Sequence, residues 1–106
     1  MNEYLLVIGT VPSKEEGKQI AQTIVGERLA ACCTVSSAVQ SFYWWEGDIS
    51  DDQEFILFIK TRASLFSKLE ERIRSLHSYQ VPEIIALPIY TGSKTYLDWI
   101  TSNTRS

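Results

Sequence analysis

The chain has 106 residues, with 10 Lys and Arg against 13 Asp and Glu and a formal net charge of −3. That length makes one domain, expected over residues 1–106, which buries roughly 60–65% of its unfolded surface, and 44% hydrophobic with 22% charged residues is a globular balance. A negative chain lacks the positive field that phosphates require, so general nucleic-acid and anionic-membrane binding are excluded.

Tyr4-Leu5-Leu6-Val7-Ile8 is a continuous apolar run ending at Gly9-Thr10-Val11-Pro12. It predicts a strand buried on both faces. The first twelve residues lack the basic start and long apolar stretch of a leader. No run of about 20 apolar residues offers a membrane span, so the expected location is the cytoplasm. Ser13 then opens a helix, with Glu16 at the spacing of a capping box. Gly17, Ile20, Ala21, Ile24 and Val25 follow at helical spacing and predict its buried face.

The second strand starts in Leu29-Ala30-Ala31-Cys32-Cys33-Thr34-Val35, breaks or bulges at Ser36-Ser37-Ala38, and resumes through Phe42-Tyr43-Trp44-Trp45. Both cysteines are expected as free thiols, because a disulfide between adjacent residues is strained and a reducing compartment disfavours it. Glu46-Gly47-Asp48 is a turn, and Ser50-Asp51-Asp52 is expected to keep its tip wet. Glu54 to Lys60 is the third strand, forming a long hairpin with the second. Neighbouring strand side chains point to opposite faces. Trp44 and Trp45 therefore cannot enter one core, and one of them must cover a second surface.

A second helix begins near Ser64, with Leu65, Phe66, Leu69, Ile73 and Leu76 as its apolar stripe. His77 to Pro82 connects it to a fourth strand over Glu83 to Ile89, in which Pro88 marks an edge or a bulge. A short C-terminal helix carries Tyr96, Leu97, Trp99 and Ile100. The order β-α-β-β-α-β plus a terminal helix is the ferredoxin-like split βαβ pattern, an α+β fold. Two helices cover one face of a four-stranded sheet, while strands one, three and four are apolar on both. The second face therefore calls for a partner outside the chain, most simply another copy.

Several segments carry a family resemblance in order and spacing: Leu29-Ala30-Ala31-Cys32, the Tyr43-Trp44-Trp45-Glu46-Gly47 hairpin, Lys60-Thr61-Arg62, His77-x-Tyr79-x-Val81-Pro82-Glu83 and Tyr96-Leu97-Asp98-Trp99-Ile100. Together they cover roughly residues 4–100, and the chain resembles the CutA divalent-cation-tolerance proteins. The resemblance implies a ferredoxin-like protomer in a tight homotrimer, with hairpins of neighbouring subunits paired edge to edge. It also implies a non-enzymatic role in tolerance of divalent metals, copper especially, which some members bind. In some members the proposed copper ligands include a cysteine at the end of the first strand and an extra histidine before His77. This sequence has Gly9 and Leu76 there, so Glu83 alone remains of that set.

The candidate metal ligands are His77, Glu83 and Cys32, with copper or another divalent ion as the implied metal, since copper accepts imidazole and Cu(I) favours thiolate. Against this, His77 at a helix C-terminus interacts with the helix dipole, Cys32 suits a buried strand position, and Glu83 is placed to pair with Lys60 or Arg62. Tyr43, Trp44 and Trp45 are expected at a subunit interface, where such residues anchor binding. A cation cage of these aromatics with Glu46 is the alternative. The family also resembles the PII signalling proteins, which hold ligands between subunits. Lys60 and Arg62, with Arg28 and Lys94, then offer a candidate anion cleft, although no Gly-rich phosphate loop supports it. An acylphosphatase lacks its loop glycines and arginine here, and an RNA-recognition surface lacks its aromatic–basic signature. Cys32 with His77 as base has no third orienting residue in the sequence.

Overall fold

The computed structural model describes residues 3–106; Met1 and Asn2, the start of the expected domain, lie outside the described residues. The elements are β1 (Tyr4–Val11), α1 (Lys14–Gly26), β2 (Cys32–Trp45), β3 (Asp48–Arg62), α2 (Phe66–Leu76), β4 (Ile84–Pro88) and α3 (Lys94–Ser102). They form one antiparallel sheet in the order β2-β3-β1-β4, the split βαβ arrangement. Pro88 ends an outer strand, where its missing N–H disrupts no inner ladder.

The register assigns the two faces. Val7 pairs with Ile59, Gly9 with Leu57 and Val11 with Phe55. These residues face the helices and close a core with Ile20, Ile24, Leu69 and Ile73. The alternate residues Leu6, Ile8, Ile56 and Phe58 face the other way. That second face is covered in part by the chain itself. At one end α3 lies across it: Tyr4 bonds Thr101 Oγ1 through its hydroxyl at 2.6 Å, and Lys60 Nζ stands 5.7 Å from the Tyr96 ring centre. The expectation that a partner must cover the whole face is corrected to this extent. Ile85 and Leu87 on β4 remain 51% and 45% exposed.

Several boundaries move for local reasons. β1 continues through Gly9 and Thr10 to Val11, because Gly9 serves as a place of close approach within the strand rather than as the end of it: a Cβ there would meet the Glu83 carbonyl oxygen at 2.8 Å. The capping box is half made. Ser13 Oγ accepts from the Glu16 N–H at 3.1 Å, but the Glu16 carboxylate accepts from the Ser78 N–H at 2.8 Å. β2 begins at Cys32, after the buried Leu29, Ala30 and Ala31. The bulge falls between Val35 and Ala38 as expected, and Ser36 Oγ accepts the Ile56 N–H there.

β3 starts at Asp48, so Ser50, Asp51 and Asp52 belong to the strand, where Asp51 and Asp52 stay exposed as expected. Glu46 and Gly47 alone make the turn, with φ of 51° and 88°, the positive pair of a type I′ hairpin. A short 3-10 turn, Ala63–Leu65, precedes α2. Glu83 sits just before β4. No helix among the described residues is long and apolar enough to cross a membrane.

Candidate functional site

β1 ends at Val11, opposite Phe55 of β3. β3 and β2 run on past it, so the far half of their hairpin projects beyond the sheet base. The segment after α2 folds back beside it. Between them opens a cleft of about 750 Å³, with Thr10 at its base, the hairpin on one wall, and Tyr79 and Glu83 on the other.

His77 organises the second wall. Its side chain is 1% exposed. Nε2 donates to the Thr10 carbonyl at 2.7 Å and Nδ1 accepts from the Tyr79 N–H at 3.0 Å. Both ring nitrogens are thus engaged with backbone, and the pattern fixes the tautomer with its proton on Nε2. Glu16 Oε2 stands 3.4 Å from Nδ1 and binds the Ser78 N–H. This contact accounts for the half-made capping box: the helix gives up one cap bond and the loop gains an anchor.

His77 holds Tyr79 in place, and the Tyr79 hydroxyl donates to Glu54 Oε2 at 2.8 Å. Glu54 is only 5% exposed. Burial, and then the bond to Glu54, push the Tyr79 phenol well above its ordinary value. On the hairpin wall the Tyr43 hydroxyl donates to Asp52, which pushes Tyr43 up to about 12.

The sequence candidates divide. His77 and Glu83 come to one end of the sheet and line a crevice too narrow to admit a water molecule. Cys32 pairs with Lys60, which pairs with Leu6, four residues along β1 from Thr10. That is roughly 13 Å along the strand, so one chain does not bring the three ligands together. No three His, Cys, Asp or Glu side chains among the described residues group closely enough to hold a metal ion.

Glu83 pairs with neither Lys60 nor Arg62. Arg62 donates from Nε to Thr104 Oγ1 at 3.0 Å and from Nη2 to the Arg105 carbonyl at 2.6 Å, holding the C-terminus. Lys60 lies beside Cys32 and the Tyr96 ring. The adjacent cysteines have separate fates. Cys33 packs against the core, and burial pushes its thiol up to about 12. Cys32 faces the other way, 3.9 Å from the Tyr96 hydroxyl.

On the hairpin, alternation places Tyr43 and Trp45 with Asp52 and Glu54 on the cleft side, and Phe42 and Trp44 with Ile49 on the opposite side. The latter three are 67%, 72% and 61% exposed. Trp44 and Trp45 therefore serve different surfaces, as alternation required. Sequence reasoning missed Asp52, Glu54 and Tyr79 as a group. The signal was present: once the turn is fixed at Glu46-Gly47, the spacing of Asp52 and Glu54 by two puts both on the face of Tyr43.

The sequence profile of the CutA1 divalent ion tolerance protein family matches residues 5–103. Divalent-cation tolerance protein CutA of Thermus thermophilus is 48% identical over 98% of this chain and 99% of its own length. Protein CutA 1, chloroplastic, of Oryza sativa subsp. japonica is 48% identical over 95% of this chain and 57% of its own length. The solved structure of a divalent cation tolerance protein (Cut A1) from Thermus thermophilus matches with a TM-score of 0.94 at 47% identity, over 96% of this chain and 99% of that one.

Proposed function

The chain belongs to the CutA1 divalent ion tolerance family, and from that premise we propose that it works as a non-enzymatic homotrimer in the cytoplasm, tied weakly to copper or another divalent ion. One observation carries the assembly. Phe42, Trp44 and Ile49 form an apolar surface on the projecting hairpin that nothing among the described residues covers. Large exposed aromatics of this kind anchor interfaces. Tyr43 and Trp45 adjoin that interface from the cleft side, and pairing between subunits satisfies the free strand edges.

Of the metal candidates, Glu83 is the exposed one. His77 serves an ion only by giving up a backbone partner, and Cys32 joins Glu83 only across a subunit boundary. This favours a weakly held ion completed by water. The same positions support a non-enzymatic role, since the imidazole has no free nitrogen to act as base for a thiol a strand-length away.

Native mass spectrometry before and after stoichiometric copper tests the proposal. The expected spectrum is a trimer whose copper uptake is weak and falls further in Glu83→Gln. A folded monomer would sink the assembly. Uptake that survives Glu83→Gln and disappears in Cys32→Ser moves the metal to the other end of the sheet.

The second reading is a PII-like trimer that senses a small molecule. The observation favouring it is the cleft, whose volume of about 750 Å³ suits a small ligand. Lys60 and Arg62 lie at the far end of the sheet and Arg62 is already engaged. The acidic cleft, rather than an anion cleft, is where this reading places the ligand.

A further inference from the structure

We infer that Tyr79 is a positioning residue for assembly: its hydroxyl braces the root of the projecting hairpin and sets the angle at which the Phe42–Trp44–Ile49 surface is presented. The inference rests on the homotrimer reading and names a residue outside that apolar surface on which the assembly depends.

The root is where the hairpin needs support. β1 ends opposite Phe55, so from Glu54 outward β3 has β2 as its one neighbouring strand. A ribbon of two strands is marginal on its own. The bulge between Val35 and Ala38 falls at the same level, and a bulge bends the strand that carries it. The hairpin therefore leaves the body where the sheet resists bending least.

Two side-chain bonds fasten this point. Ser36 Oγ accepts the Ile56 N–H at 2.7 Å, which joins the bulge to β3 and ties the hairpin to itself. The Tyr79 hydroxyl donates to Glu54 Oε2 at 2.8 Å, from a segment that belongs to neither strand. Two further side-chain bonds of the projection, Gln40 to Asp51 and Tyr43 to Asp52, run between its own strands. Among the described residues the bond from Tyr79 is thus the side-chain hydrogen bond that ties the projection to the body.

Tyr79 is itself held. Its N–H donates to His77 Nδ1 at 3.0 Å, and its ring centre lies 4.9 Å from that of the imidazole. His77 Nε2 donates to the Thr10 carbonyl, and Glu16 anchors the Ser78 N–H between the two residues. The line of support runs from β1 and α1 through His77 and Tyr79 to the hairpin. Glu54 is 5% exposed, so the bond it accepts is shielded from water and stronger than one at the surface. A docking surface held in one orientation beforehand loses less freedom on association. Tyr79 contributes through that orientation, from the cleft side of the hairpin.

Tyr79→Phe tests the inference, with Glu54→Gln as a companion that keeps an acceptor for the hydroxyl. Sedimentation over a range of concentrations and hydrogen exchange on the intact assembly read the outcome. In Tyr79→Phe the amides of the projection should exchange about tenfold faster while those of Val7 and Ile59 stay slow. The concentration at which the assembly dissociates should rise by about tenfold, the effect of losing one hydrogen bond to a charged group. Glu54→Gln should lie closer to the unsubstituted protein than to Tyr79→Phe. Unchanged association in Tyr79→Phe overturns the inference, whether or not the hairpin exchanges faster. Exchange at Val7 and Ile59 that quickens equally also overturns it, because the bond is then a general stabiliser. Equal losses in the two variants do so too, by assigning the effect to the charge of Glu54. If the unsubstituted chain never associates, the homotrimer reading fails and the inference falls with it.

Discussion

β2 and β3 are one hairpin with two environments. At the base, near the Cys33–Ile59 and Val35–Leu57 pairs, α1 and α2 cover one face and the strands form the core. Beyond Phe55 the same strands have no helix over them, and the residues that would be core under cover are exposed. Strand propensity is the same in both halves; tertiary cover differs. The base is held by burial and the projecting half by cross-strand pairs, its turn and whatever docks on it. Mutations should therefore divide along this line, stability at the base and association in the projection.

The widest separation is expected between Ile59→Ala and Trp44→Ala. Ile59 is fully buried, so truncation removes transfer energy and leaves a cavity, costing about 2–5 kcal/mol. Trp44 is 72% exposed, and its loss should change the stability of a protomer by no more than roughly 1 kcal/mol while weakening the assembly. Urea melts and sedimentation read the two effects separately. A Trp44→Ala protein that assembles at every concentration as the unsubstituted chain does would break the comparison. A smaller effect is expected at the junction of the two halves. The Cβ of Gly9→Ala would meet the Glu83 carbonyl at 2.8 Å, so backbone must shift, at a cost of about 1–3 kcal/mol. A Gly9→Ala protein with unchanged stability would mean that β4 moves freely.

The division also explains what the sequence makes legible. Order and type of the elements follow from periodicity, because the buried halves carry apolar runs that only a core explains. The extent of β3 does not. Ser50-Asp51-Asp52 has the composition of a loop, and only its pairing with Ser41, Phe42 and Tyr43 draws it into the strand. His77 illustrates the limit at the site. Its place at a helix end is readable, but its two backbone partners come from Thr10, near the end of β1, and from Tyr79. Neither could be chosen without the fold. Cys32 and Glu83 are readable as chemistry, yet their separation depends on register, which a list of residue types does not contain. The Gly9 position is the reverse case, since the sequence reads it as the end of the apolar run and the structure uses the missing side chain.

The two halves also raise proton affinities by different physics. Burial raises Cys33 from 9.0 to about 12, whereas the bond to Asp52 is the main reason Tyr43 rises from 10.0 to about 12. In both cases the folded state holds its proton more tightly than the unfolded chain. Below pH 9 both states are protonated and the full contribution is present. Above it the unfolded chain loses its protons first, so stability should fall as pH rises towards about 12. Cys33→Ala should flatten the early part of that fall, and Asp52→Asn the part contributed by Tyr43. Melts from about pH 8 to 12 read the slopes; parallel curves for all three proteins would remove this distinction.

The smallest effect is expected at the hairpin tip, where nothing but local geometry decides the structure. Glu46 adopts φ of 51° without the freedom of glycine. An L-residue there crowds its Cβ against backbone, and asparagine tolerates the conformation better. Asn-Gly is also the preferred pair for a type I′ turn. Glu46→Asn should therefore stabilise the protein by about 0.5 kcal/mol, a fraction of the strain that the left-handed region imposes on an ordinary side chain. It should leave association unchanged, since register and the Phe42–Trp44–Ile49 surface are retained. Loss of stability in Glu46→Asn would instead assign the Glu46 carboxylate a contact with a neighbouring subunit, and would extend the interface from the strands to the turn.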